Sequence, residues 1–193
     1  MIGSSYKVSE KELLEVRNQI FIQDGIPALE KNGFVKSPFS TAWFGRDNLR
    51  DFTYELCRIS DKESCQLEII TTHITRGDKW IKIFLNIFTL APNVNYIHEL
   101  MGLNGMQFHL PPNSMSKMRL RNDDYKGPPL FYMLFLPEHK LGRYNTKSEF
   151  EKEVSKLKEL IKKDITNIDL FVKRWHELHQ PNITDWEGNR LKY

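Results

Sequence analysis

Phe52-Thr53-Tyr54-Glu55-Leu56, Leu67-Glu68-Ile69-Ile70-Thr71 and Ile81-Lys82-Ile83-Phe84-Leu85-Asn86-Ile87 decide the fold. Each run repeats apolar residues at every second position, the period of a strand whose two faces meet different surroundings. Pairing Ile69 with Ile83 and Leu67 with Leu85 leaves Thr75-Arg76-Gly77 as a three-residue hairpin loop, with Gly where a left-handed backbone is needed. Pairing Leu56 with Leu67 and Tyr54 with Ile69 leaves Asp61-Lys62 as a two-residue turn. A further strand, Phe39-Thr41-Trp43, fits the same face after a turn at Asp47-Asn48. Residues 39–90 are therefore predicted to form a four-stranded antiparallel meander with one buried face.

In this register the opposite face carries Thr53, Glu55 and Cys57, then Gln66, Glu68, Ile70 and Thr72, then Trp80, Lys82, Phe84, Asn86 and Phe88. A solvated sheet face is mostly polar. The last strand breaks that rule with Trp80, Phe84 and Phe88. Either a later part of the chain covers these rings, or they form a partner or ligand surface, as large exposed apolar patches do.

Helical signals flank the sheet. Ser9-Glu10-Lys11-Glu12 is a capping box, and Leu13, Val16, Ile20 and Ile22 follow at helical spacing. Gly25 and Pro27 interrupt that helix, and a second runs from Pro27 to about Asn32, with Gly33 after its end. Thr146-Lys147-Ser148-Glu149 is a second box, opening a helix with Phe150, Val154, Leu157 and Ile161 on one stripe. Asn167–His179 repeats the pattern with Ile168, Phe171, Val172, Trp175 and Leu178. The two form a C-terminal helical hairpin, residues 146–179, a candidate cover for Trp80, Phe84 and Phe88. Leu130–Leu136, bounded by prolines within 129–136, reads as a fifth strand buried on both sides. The tail from Pro181 is polar, with Trp186 as an anchor.

The fold class is thus α+β in a single domain, an antiparallel meander of about five strands packed by N-terminal helices (9–33) and the C-terminal hairpin. A length of 193 residues suits one core, and 40% apolar with 27% charged residues is ordinary for a soluble protein. Net charge of +3 is a mild basic excess, short of the concentrated patch expected of a nucleic-acid protein. No apolar stretch reaches the ~20 residues needed to span a bilayer, and the first residues lack a signal core, so a cytoplasmic location is expected. Asn182-Ile183-Thr184 matches a glycosylation sequon, a short pattern that arises by chance. Cys57 and Cys65, placed by this register opposite Gln66 and Arg58, point to opposite faces and are expected to be free thiols.

Ile26-Pro27-Ala28-Leu29-Glu30-Lys31-Asn32-Gly33-Phe34, the aromatic strand at Trp43 and the closing Leu85-Asn86-Ile87 together resemble a group of small bacterial domains of unknown function. Those domains begin with a helix ending in Leu-x-x-x-Gly-Phe before an antiparallel sheet. The resemblance covers less than half of the chain, implies the fold, and carries no catalytic residues.

Residues 91–128 are the least regular segment, with a short helix near Asn95–Met101 and then no sustained period. A loop of this length inside a domain is commonly functional. It holds Met101, Met106, Met115 and Met118, four of the six methionines, which suit either core gaps or an adaptable surface. Lys117, Arg119 and Arg121 alternate with Met118 and Leu120, giving a strand with one cationic face, and Asp123-Asp124 follow at once.

Signatures of chemistry are sparse. His176-Glu177-Leu178-His179 has one residue fewer than a zinc-protease motif needs, and no second ligand cluster accompanies it, so no metal is assigned. The cysteines lack a local activating base. Phosphate loops, Gly-x-Ser-x-Gly elbows and Cys-x-x-Cys pairs are missing from the sequence, so no catalytic residue and no cofactor is assigned.

The leading expectation is a non-catalytic binding or interaction protein. Its surface combines Trp80, Phe84 and Phe88 with Met106, Met115 and Met118, while Lys117, Arg119 and Arg121 steer an acidic protein partner or a second copy. The alternative is a small-molecule or enzymatic pocket between the sheet and segment 91–128, with His98, His109, Asp123 and Tyr125 as polar groups. Nucleic-acid binding through Lys79, Trp80, Lys82 and the 117–121 run is the third reading. Aromatics beside lysines permit base stacking, and the interleaved acids argue against it.

Overall fold

Residues 6–61, 63–125 and 137–191 are described by a computed structural model of the chain. The fold is α+β, built on a sheet of seven strands. Three long strands, β3 (Phe52–Asp61), β4 (Gln66–Ile74) and β5 (Lys82–Leu90), form its centre. Short strands complete both edges. β1 (Val35–Lys36) and β2 (Phe44–Arg46) share the outer edge of β3, while β6 (Met118–Arg119) and β7 (Asn182–Thr184) share that of β5. All pairings are antiparallel except β5 with β7. Pairing on both outer edges leaves little free backbone to recruit another chain.

Helices follow the capping signals. Ser9 accepts the Glu12 backbone amide at 3.2 Å and starts α1 (Glu10–Ile20), and a π-helical turn over Phe21–Gly25 carries the chain into α2 (Ile26–Lys31). Thr146 and Glu149 form the reciprocal box that opens α3 (Lys147–Thr166). Only Asn167 separates α3 from α4 (Ile168–Leu178).

The register of both central hairpins differs from the sequence reading. Leu67 lies opposite Ile59 and Phe88, and Ile69 lies opposite Cys57 and Asn86. Each pairing is displaced by three residues from Leu56–Leu67 and Leu67–Leu85. An odd displacement reverses faces. β3 and β5 keep their predicted faces and β4 alone is turned over. The connections explain it. The β3–β4 pairing ends at Asp61 opposite Gln66, with Cys65 in the left-handed region (φ 47°), and the β4–β5 connection runs over 75–81. Gly77 does adopt the left-handed backbone (φ 75°), but in a loop longer than three residues.

Turning β4 over puts apolar residues on both faces, so each needs a cover. On the first face, Leu56, Ile70, Ile83 and Leu85 pack with Leu14 and Phe21 of the N-terminal helices and with Leu157, Ile161 and Trp175 of α3 and α4. On the second, Leu67, Ile69 and Phe88 pack against Val94, Leu100 and Phe108 from the segment after β5. Burying each such side chain contributes about 1.5–3 kcal/mol, which is why neither layer can be dispensed with. The C-terminal helices thus cover the Ile83–Leu85 side, and Phe88 is covered by Phe108 at a ring distance of 4.8 Å. Residues 39–43 are not a strand. Phe39 is buried against Phe108, and β2 follows at Phe44. The predicted strand Leu130–Leu136 lies outside the described residues.

Segment 91–118 is irregular yet closely tied down. Its 3-10 turns are Ile97–Leu100, Met106–His109 and Asn113–Ser116. Asn86 donates to the Asn113 carbonyl (2.9 Å), and Asn113 donates to the carbonyls of Gln107 (3.0 Å) and Gly188 (2.7 Å). The sequon residue Asn182 donates in turn to the Asn113 side chain at 3.0 Å. Trp186 anchors the tail by donating to the Pro92 carbonyl at 2.7 Å. Both cysteines are buried and free, and both belong to the second core, so the expected outcome holds although the sulfurs share a face.

Candidate functional site

The second sheet face is closed over Phe88, Leu67 and Ile69 and open beyond them. At the open end stand His73 on β4, Lys82 and Phe84 on β5, and Arg119 on β6, all only partly buried, with Trp80 just before β5. The β5–β6 pairing sets Arg119 directly opposite Phe84. Trp80 is held by its backbone. Its carbonyl accepts from the buried Arg17 guanidinium (2.9 Å), its amide donates to Asp78 (3.2 Å), and it bridges to Lys140.

Cations surround the two rings. Lys117 Nζ lies 4.5 Å from the Phe84 centroid, and Lys140, Arg119 and Lys82 lie 5.7, 5.8 and 6.0 Å from Trp80. Contacts of this kind contribute about 0.5–2 kcal/mol and orient the cations. Two of these cations are already neutralised: Lys82 pairs with Asp78 (2.6 Å) and Lys140 with Glu138. Burial alone would raise the Asp78 carboxyl, but Lys82 and the amides of Trp80 and Lys79 outweigh it and hold it below the ordinary range. Lys117 and Arg119 have no carboxylate partner among the described residues. Burial lowers the Lys117 pKa against the opposing influence of Glu55.

A carboxylate–imidazole pair closes the inner end. Glu55 on β3, with its side chain 4% exposed, holds His109 Nε2 at 2.9 Å, and its other carboxylate oxygen is buried without a partner. The imidazole of His109 is 28% exposed. Beside it His73 is pushed down to about 4, first by burial and then by Lys117. Its Nδ1 lies 3.3 Å from Thr53 Oγ1, which lies 3.3 Å from an Asp47 carboxylate oxygen. A carboxylate only accepts, so the Thr53 hydroxyl donates to Asp47 and His73 carries its proton on Nδ1.

Several residues expected at the site are elsewhere. Phe88 (1% exposed) and Met118 (0%) are core. Arg121 turns away, in the left-handed region, and grips Asp164 through two 2.6 Å bonds, with His139 on the same carboxylate at 2.8 Å. Met106 and Met115 are exposed loop residues. His98 stacks on Tyr96 and lines a separate cleft with Met101, while Asp123 accepts the Arg119 backbone amide at 2.7 Å. Tyr125 is half-buried and does not line the crevice at His109. That crevice, shared with Lys117, Thr71 and Asn86, has a volume of about 10 Å³. It admits no more than one water; the larger opening between sheet and segment is at the sheet edge, in the cleft that His98 and Met101 line with Val35 and Lys36 of β1.

Glu55, His73 and Lys140 are site residues that the sequence pattern does not single out. Glu55 and His73 follow strand parity once β4 is in register; Lys140 arrives through a bridge with no local signal. His176 and His179 both pack on Trp175 at ring distances of 5.3 Å, and no group of three or more His, Cys, Asp or Glu placed for a metal occurs among the described residues. No helix among them is long and apolar enough to cross a membrane. Comparison of the chain with family models, with curated proteins and with solved structures finds no match.

Proposed function

We propose that this chain is a binding protein whose open sheet end takes an anionic partner. The observation that carries the reading is the pair Lys117 and Arg119, two cations without carboxylate partners among the described residues, held beside half-buried Phe84 and Trp80. Unpaired, partly desolvated cations cost a fold free energy that a bound anion returns. Aromatic rings supply contact area at small entropic cost, the composition of interface hot spots. Face-to-face pairing of two copies is disfavoured, because it would bring like charges together.

Titration calorimetry with poly-L-glutamate as the acidic probe tests the reading. Binding should weaken steeply with salt, and Lys117→Glu with Arg119→Glu should abolish it while the melting temperature holds. Affinity unchanged by that double reversal would overturn the proposal.

A further inference from the structure

Anion binding does not use Glu55 and His109. A carboxylate 4% exposed, with one oxygen on an imidazole at 2.9 Å and the other buried without a partner, is costly to keep. A buried carboxylate that fixes an accessible imidazole by one nitrogen leaves the other nitrogen to exchange a proton, the arrangement of an oriented general base. His109 Nδ1 has no partner among the described residues.

The surroundings select the substrate. Lys117 lines the same crevice as His109 and reaches over Phe84, and Arg119 stands opposite Phe84. Of the acids that follow this cation run in sequence, Asp123 accepts the Arg119 backbone amide at 2.7 Å, and among the described residues neither acid forms an ion pair with the Lys117 or Arg119 side chain. An imidazole base, two cations unpaired among the described residues and two partly exposed rings at a sheet end match a single-stranded polyanion with planar bases. Among phosphodiesters, the ester an imidazole can cleave with least assistance is the ribose one. Its 2′-hydroxyl is a tethered nucleophile, and tethering replaces an entropic cost of several kcal/mol.

We propose that the Glu55–His109 pair makes the open sheet end a site that cleaves single-stranded RNA. The proposal rests on the anion-binding reading above. The ribose 2′-oxygen attacks phosphorus and gives its proton to His109. Charge on the phosphorane rises toward two negatives, which Lys117 and Arg119 offset. The bond to the 5′-oxygen then breaks, and that oxygen takes the proton from His109. The products are a 2′,3′-cyclic phosphate and a 5′-hydroxyl; no other reactant is consumed. Glu55 is a positioning residue, and Trp80 and Phe84 hold bases.

The test uses the full chain and a fluorescent oligouridylate, beside an oligodeoxyuridylate of the same sequence that can bind but cannot be cut. The expected result is salt-sensitive binding of both, cleavage of the RNA alone, and a cyclic phosphate product. His109→Ala, at a partly exposed position, should lower cleavage about 100-fold or more while leaving oligodeoxyuridylate affinity within twofold. Glu55→Gln should keep His109 in place and lower kcat, while KM and oligodeoxyuridylate affinity stay within twofold. Binding of both oligomers without cleavage would overturn the proposal and leave the anion-binding reading standing. Cleavage unchanged in His109→Ala would overturn it as well. Failure to bind either oligomer would remove it, with poly-L-glutamate deciding the broader reading separately.

Discussion

Acidification should destabilise this protein through one histidine more than through any surface carboxylate. His73 is held neutral by burial and by Lys117, with its pKa depressed from 6.5 to about 4. The unfolded chain therefore takes up this proton at a higher pH than the folded one. The stability associated with neutral His73 is present above about pH 6.5, falls as pH drops through the window, and levels off below about 4. At 1.36 kcal/mol per unit, that window amounts to about 3 kcal/mol. Urea unfolding at pH 7, 5.5 and 4 measures it against His73→Gln, which retains a donor for Thr53 and cannot titrate. Asp78 and Asp164, whose folded pKa values are also lowered, weaken both proteins alike as pH falls and cancel in the comparison. The wild type should lose about 3 kcal/mol more than the variant between pH 7 and 4. Equal losses would refute the argument and place His73 in contact with water. Replacing Lys117 by Met should also raise the His73 pKa, read directly from its ring proton by NMR.

Other consequences separate core from surface. Phe88→Ala empties a fully buried site and should cost about 3–5 kcal/mol, whereas Phe84→Ala, at a half-buried position, should cost less than half of that; thermal or urea unfolding decides it, and equal losses would mean that the face is closed. Arg121→Ala strands the buried Asp164 and His139 and should destabilise by about 3–5 kcal/mol, while Arg119→Ala should leave stability nearly unchanged. Cys57 is buried and its thiol is pushed far up by that burial and by Glu55, so Ellman's reagent should find both cysteines inert in native protein and reactive in denaturant.

Fold class was legible because strand periodicity and capping boxes are local. Ser9 and Thr146 announce α1 and α3, and period-two runs announce β3, β4 and β5. Register was not, because it depends on turn length. Residues 62–65 and 75–81 offer several turns of similar quality, and apolar residues at both parities of β4, Ile69 beside Ile70, satisfy either choice. The short edge strands β1 and β7 carry no period and exist through their partners, whereas β6 lies within the alternating run 117–121. At the site, Trp80, Phe84, Lys117 and Arg119 were readable as an aromatic and cationic set. Glu55 was assigned to the right face, but its meeting with His109 joins a strand to a loop 54 residues later, and only tertiary packing creates it. Phe88 and Met118 read as surface in the sequence because composition does not reveal that Phe108 and the first-face core enclose them.

The open sheet end is the proposed place of anion binding. Proton–nitrogen NMR with oligodeoxyuridylate as titrant examines that directly, through the Trp80 indole and the amides of His73, Phe84, Lys117, Arg119 and Lys140. Saturable shifts confined to these signals, and lost in Lys117→Glu with Arg119→Glu, are predicted. Shifts clustered instead around Lys163 and Arg174 on the helical side, or spread without saturation over every surface lysine, would contradict it.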